Sequence, residues 1–174
     1  MTEIDPAGNS LTAIADIEQA DNQAKIGWMD WAFTGYDDIT TTDKAGESLV
    51  FDPHDPPTGS NVNTADLDTL AQPYPQVVAG TPNSWSFDAG TDTLNFSYST
   101  EMADNSGSFS PGSTTTISVP HVEYPNGYQV SITGGHVASV PDAPELIIAS
   151  NPGANTVTVT VTAAGADDGS VAAQ

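Results

Sequence analysis

The sequence predicts a mainly β fold, an antiparallel β-sandwich preceded by a short βαβ unit. Three observations carry this. Trp85, Phe87, Leu94, Phe96 and Tyr98 alternate with small polar residues around the turn Asp88-Ala89-Gly90. Further alternating runs follow, separated by Ser110-Pro111-Gly112, Pro125-Asn126-Gly127 and Pro152-Gly153. Upstream, from Thr2 to Phe33, the pattern becomes short strand, helix, aromatic-rich strand, the reading of the last units of a (β/α)8 barrel.

Thr2 to Ile4 reads as the end of a strand, cut off by Asp5-Pro6 and the turn formers Gly8 and Asn9. A helix follows, with Asn9 or Ser10 as N-cap and Leu11, Ile14, Ile17 and Ala24 spaced as an apolar stripe. It ends near Lys25, a cation well placed by the helix C-terminus. Gly27 then turns the chain into a strand, Trp28-Met29-Asp30-Trp31-Ala32-Phe33. A strand, helix and strand this close together form a βαβ unit with parallel strands, and such a pair needs further neighbours to cover both faces.

From Thr34 to Asn63 the chain reads as a loop rich in Asp, Thr, Pro and Gly, and a stretch of that kind is expected to be functional or poorly ordered. Thr64 to Leu70 forms a short helix capped by Thr64 or Asn63, and Pro73-Tyr74-Pro75 marks a boundary. Beyond it, strands are expected at 84–88, 93–99, 114–119, 128–133, 145–150 and 156–162, the spacing of a sandwich of six or seven strands. Gly134-Gly135 reads as one more turn. The expected division is residues 1–72 as the barrel portion, 73–163 as the sandwich and 164–174 as a disordered tail.

Two basic residues, Lys25 and Lys44, stand against 23 acidic ones in 174 residues, for a formal charge of −21. Such a surface repels phosphate backbones, which excludes nucleic acid as a partner. The acidic residues are mostly Asp in turns, where they hold a solvated surface. Without cysteine there is no disulfide frame, thiolate nucleophile or Cys-based zinc site. The amino end shows neither a basic n-region nor an apolar h-region, so an export signal is expected upstream of this chain.

Glu3 is the carboxylate placed at the end of a predicted parallel strand, beside a strand that delivers Trp28 and Trp31. In β/α barrels the C-terminal strand ends build the open catalytic face. A carboxylate beside an indole suits sugar chemistry, the acid meeting an oxocarbenium-like centre while the ring stacks on the sugar. His54, His121 and His136 are dispersed, and Asp37-Asp38 and Asp167-Asp168 lack a calcium-loop pattern, so no metal site is expected. Asn95-Phe96-Ser97 fits a glycosylation sequon inside a strand, which reads as coincidence. Trp85, Phe87, Phe96 and Tyr98 are expected in the sandwich core, whereas Tyr74, Tyr124 and Tyr128 flank prolines and turns and are the surface candidates.

Thr2-Glu3-Ile4, followed by Gly27-Trp28-Met29-Asp30-Trp31-Ala32-Phe33, resembles the seventh and eighth strands of glycoside hydrolase family 5. The resemblance is to the endoglycoceramidase-like branch, with motifs Thr-Glu-Phe-Gly and Gly-Trp-x-x-Trp-x-Tyr. The run from Gln72 to Pro82, then Ser84-Trp85-Ser86-Phe87-Asp88, Tyr124-Pro125-Asn126-Gly127-Tyr128 and Thr133-Gly134-Gly135-His136-Val137 resemble the C-terminal β-sandwich of those enzymes. Ile4-Asp5 stands where Phe-Gly is usual, and Asp30 and Phe33 depart from the commoner aromatic-rich strand.

The resemblance implies a retaining glycoside hydrolase acting on a β-glycosidic bond, with a glycan or glycolipid as substrate and no cofactor. It implies Glu3 as the catalytic nucleophile and Trp31 as the substrate-binding platform, with Trp28 packing. His54 would touch substrate from a loop on the barrel's open face. The family's acid/base carboxylate follows Asn on the fourth strand, and no Asn-Glu pair occurs in this sequence. The chain is therefore expected to be a C-terminal portion of an extracellular enzyme, inactive without the N-terminal part of its barrel. A rival reading is a non-catalytic sandwich that binds carbohydrate or a lipid surface.

Overall fold

The computed structural model describes residues 10–30, 33–34 and 48–165, together with the backbone of residues 2–4. The chain divides into two units, residues 1–71 and 72–174.

The first unit opens with β1 (Thr2–Ile4), α1 (Leu11–Ala24) and β2 (Trp28–Asp30). β1 and β2 pair in parallel with Thr2 against Trp28, Glu3 against Met29 and Ile4 against Asp30. The strand-helix-strand spacing thus folds as expected. Ser10 caps α1 by accepting the Ala13 N–H at 3.3 Å, and this satisfies one of the open donors of the first turn. Lys25 ends the helix in the left-handed region, φ 55 and ψ 41, its N–H reaching the Asn22 and Asp21 carbonyls.

The buried face of α1 differs from the expected stripe. Leu11, Ile17 and Ala24 are exposed, and Ile14 is buried together with Glu18, Asp21 and Asn22. Ile14, Glu18, Asp21 and Asn22 fall within an arc of about 100°, and Ile17 and Ala24 lie beyond its edge. Leu11 shares that arc but stands in the first turn, where it is exposed. Apolarity alone does not identify the inward face.

The strand expected over Trp28–Phe33 is described as far as Asp30; Trp31 and Ala32 lie outside the described residues. Phe33 is exposed, and its carbonyl accepts the Val50 N–H at 2.8 Å. Of the expected loop, residues 35–47 lie outside the described residues, as do Asp37-Asp38, and residues 48–63 are well tied. Buried Val50 bridges Thr34 in parallel and Val62 in antiparallel. Then comes α2 (Thr64–Leu70), capped by Asn63, whose amide donates to the buried Asp66 carboxylate at 2.6 Å.

The second unit is a sandwich of two four-stranded antiparallel sheets. Its strands are β3 (Tyr74–Val77), β4 (Thr81–Asp88), β5 (Thr93–Ser99), β6 (Thr114–Ser118), β7 (Tyr128–Thr133), β8 (Gly135–Val137), β9 (Glu145–Ser150) and β10 (Thr156–Ala163). One sheet has the order β4-β5-β10-β7 and the other β3-β6-β9-β8. Leu94, Phe96 and Tyr98 from β5 and Val157, Val159 and Val161 from β10 meet Ile117, Leu146 and Ile148 of the facing sheet. Trp85 and Phe87 pack against this core from the edge strand β4, as the alternation predicts. Asn95 faces outward from β5 and accepts the Thr160 hydroxyl at 3.0 Å.

Two strands escaped the sequence pattern. β3 contains Pro75, read above as a boundary signal, and β4 begins earlier than expected, at Thr81-Pro82. Both are edge strands with a register shift beside the proline, between Pro75 and Val77 and between Pro82 and Ser84. An edge has no partner for the N–H that proline lacks, so proline is tolerated there. The other missed strand is β8. Gly134 is a corner at φ +79, where a side-chain carbon would run into the Thr156 carbonyl, and Gly135 already begins β8 in the opposite sheet. The expected turn is therefore a one-residue switch between sheets. The tail from 166 to 174, with Asp167-Asp168, lies outside the described residues.

Candidate functional site

The backbone of the first unit sets Glu3 beside Met29, one residue beyond Trp28. Trp28 is half-buried and Met29 is exposed on the same short strand. The side chain of Glu3 and the whole of Trp31 lie outside the described residues. What the described residues supply is the frame: two parallel strands ending together, the arrangement that in β/α barrels delivers side chains to one rim.

His54 lies on a turn built by Asn61. The Asn61 carbonyl oxygen accepts the Asp52 N–H at 2.8 Å, and its amide donates to the carbonyls of Asp52, Asp55 and Pro56 at 2.8, 3.2 and 3.1 Å. Asp52 Oδ1 in turn accepts the His54 N–H at 2.9 Å and lies 3.1 Å from His54 Nδ1. The His54 backbone N–H holds the Asp52 carboxyl below its usual value; the imidazole adds a smaller effect in the same direction, against a modest opposing desolvation. The turn presents an exposed, carboxylate-paired imidazole, which can donate or accept one hydrogen bond according to its tautomer. Asn61 carries the turn, and sequence reasoning missed it; an Asn nine residues after an Asp-Pro is too common a signal.

In the sandwich, the surface tyrosines divide. Tyr74 is exposed and Tyr128 half-buried, but Tyr124 is buried, against the expectation that all three lie at the surface. The Tyr124 carbonyl closes the turn, accepting the Gly127 N–H at 3.0 Å, while its ring joins the core. Tyr124 and Tyr128 meet edge to face, ring centroids 5.8 Å apart at 67°. Burial pushes both phenols up, Asp92 and Glu123 adding to the effect at Tyr124 and Asp142 at Tyr128.

These tyrosines border a cleft of about 430 Å³ at the turn between β6 and β7. His121, Asn126 and Asp142 line it as well. Asp142 Oδ1 accepts the Tyr128 N–H at 2.9 Å, and the Tyr128 hydroxyl donates to the Ala143 carbonyl at 2.8 Å. The approach of Asp142 requires glycine at 127: a Cβ there would sit 2.5 Å from its carboxylate oxygen, and φ is +88. Sequence reasoning did not assemble this group, because Asp142 comes from a loop fifteen residues after Gly127 and nothing in the period of either strand joins them.

Residues 72–162 match the family described as the Glycoside hydrolase family 5 C-terminal domain. The chain is 32% identical over 92 residues to Endoglycoceramidase I of Rhodococcus hoagii (strain 103S), covering 53% of this chain and 17% of that protein. Among solved structures it is similar to Endo-glycoceramidase II from Rhodococcus sp. in its lactosyl-enzyme intermediate, at a TM-score of 0.61 and 24% identity, covering 94% of this chain and 32% of that one. The same enzyme is also known in a ganglioside GM3 complex. Sterylglucosidase 1 of Cryptococcus neoformans is similar at a TM-score of 0.66 and 16% identity, covering 92% of this chain and 26% of that one. The chain thus spans a third or less of the length of each of these proteins. With the matched segment reaching into all eight strands of the sandwich and covering more than half of the sequence, the chain belongs to the glycoside hydrolase family 5 C-terminal domain family.

Proposed function

We propose that this chain is the C-terminal portion of a retaining glycoside hydrolase that cleaves a β-glycosidic bond, with a glycolipid as substrate. The observation that carries the reading is the parallel β1-β2 pair, which sets Glu3 in register beside the tryptophan-bearing strand, in a chain that continues into a sandwich of this family. The names of the similar proteins, an endoglycoceramidase with ganglioside GM3 and a sterylglucosidase, support a sugar joined to a lipid.

In this mechanism Glu3 attacks the anomeric carbon and forms a glycosyl-enzyme, which water then hydrolyses. A second carboxylate about 5–5.5 Å away protonates the leaving oxygen and later activates the water. Trp31 floors the attacked sugar, and His54 offers a hydrogen bond from the turn that Asn61 holds. Residues 1–72 supply the closing part of a barrel whose remaining strands, with the acid/base carboxylate, come from sequence beyond this chain. Each step needs one carboxylate at carbon and another at the proton, so the chain alone is expected to be inactive.

A chimera tests this. The chain replaces the matching C-terminal third of the Rhodococcus sp. endo-glycoceramidase II, and release of oligosaccharide from ganglioside GM3 is followed. Hydrolysis by the chimera, none by the chain alone, and a loss of about a thousandfold or more in Glu3→Gln are the expected results. A folded chimera whose activity survives Glu3→Gln would refute the assignment.

A further inference from the structure

We propose that the cleft beside Tyr124 and Tyr128 is a binding site for a pyranose ring of a neutral glycan, built by residues of the sandwich itself. Its volume, about 430 Å³, lies within the range of roughly 300–1,000 Å³ usual for small-ligand sites. Its lining pairs apolar surface with a few convergent polar groups, the mixture such sites require. Tyr128, Pro125 and Pro144 contribute apolar carbon to the lining, the surface on which the C–H face of a sugar can pack. His121, Asn126 and Asp142 bring an imidazole, an amide and a carboxylate to the same space, able together to donate to and accept from vicinal hydroxyls.

The site is built rather than incidental. Tyr128 is fixed at three points: its N–H on Asp142, its hydroxyl on the Ala143 carbonyl, and its ring against buried Tyr124. A ring already held in place loses little freedom when a ligand packs on it. Asp142 adopts φ +56, a conformation uncommon outside glycine, and this brings its carboxylate over Gly127. The bond to Tyr128 uses only one of the carboxylate's acceptor positions, and the others remain for a ligand hydroxyl. His121 and Asn126 are exposed at the rim and available to a ligand arriving from water.

Other occupants fit less well. An anion would meet Asp142 at the wall and Glu123 beside Tyr124, in a chain with a formal charge of −21. No group of three metal-ligating side chains occurs among the described residues. A lipid tail would have to desolvate the carboxylate and the amide without replacing their hydrogen bonds.

The whole 174-residue chain, labelled with 15N, is titrated with lactose, cellobiose and methyl β-D-glucopyranoside while amide shifts are recorded. Saturable shifts centred on Gly127, Tyr128 and Asp142 are expected with at least one of them. His121→Ala combined with Asn126→Ala, both exposed, should weaken binding about tenfold or more with the remaining spectrum unchanged. Three results would overturn the proposal: no saturable shift up to about 100 mM sugar; shifts centred elsewhere or unaltered by the two rim substitutions; or the same shifts produced by phosphatidylcholine vesicles in place of sugar. The readout involves no turnover, so its failure leaves the hydrolase reading standing, and failure of the chimera leaves this one standing.

Discussion

Asp52 and Asn61 illustrate how much of this molecule is settled by single side chains. Asp52 is ionised more readily than a free aspartate because its carboxylate accepts the His54 N–H. That bond favours the charged form, so the turn's order is present above the ordinary value of 3.8 and is lost as pH falls through the lower native value. Following the His54 amide proton by NMR should therefore give a midpoint below 3.8; one at or above it would contradict the bond. Asn61→Ala removes the hub on which residues 52–56 close and leaves the Asp52 N–H without its acceptor. A local loss of about 1–3 kcal/mol is expected, read as faster hydrogen exchange at Asp52 and His54 with exchange in the sandwich unchanged. Neither device was legible in the sequence, since an Asp-Pro turn gives no indication of which distant amide will close it.

At the level of elements, strands with strict period two were readable and strands interrupted by proline or glycine were not. The limits of β5 and β7 follow from alternation, because each turns one face to the shared core. β3 and the start of β4 were hidden by prolines that only an edge position permits, and β8 by a glycine that changes sheets instead of ending a hairpin. Gly134→Ala tests that corner. Its left-handed backbone and the Thr156 carbonyl both oppose a side chain, so a destabilisation of about 1–3 kcal/mol in urea unfolding is expected. In α1 the helix and both its ends were legible, but its inward face was not, because Glu18, Asp21 and Asn22 occupy positions that apolarity alone assigns to solvent.

The core tyrosines give the sandwich a pH dependence. Tyr98, Tyr124 and Tyr128 all keep their protons above the ordinary 10.0, burial being the largest cause in each. In the unfolded chain they ionise near 10.0, so their contribution is fully present below that pH and is lost as pH rises towards the native values. Circular dichroism should show the sandwich becoming easier to unfold in urea as pH climbs above 10.0; constant stability there would contradict the burial of these phenols.

Across the whole molecule, charge and family membership pull in different directions. Twenty-three carboxylates against two lysines make self-repulsion a standing cost to the folded state. Raising sodium chloride from about 10 mM to 1 M shortens the Debye length from roughly 30 to 3 Å, so the thermal midpoint should rise. A midpoint that falls or stays constant would show that repulsion between like charges is not what limits stability. The charge excludes partners but selects none; the proposed site chemistry rests on the resemblance carried by Thr2-Glu3-Ile4 and the tryptophan-rich strand. The cleft at Tyr128 was not legible at all, since it is assembled from segments whose only link is the fold.

The proposed role of Glu3 is tested most directly by trapping the covalent intermediate. The chimera with the endo-glycoceramidase II barrel is treated with a 2-deoxy-2-fluoro lactoside bearing a good leaving group, digested, and its peptides are weighed by mass spectrometry. The account predicts one fluoroglycosyl group on the peptide containing Glu3, absent in Glu3→Gln. A label on any other carboxylate, or hydrolysis with no label on that peptide, would contradict it.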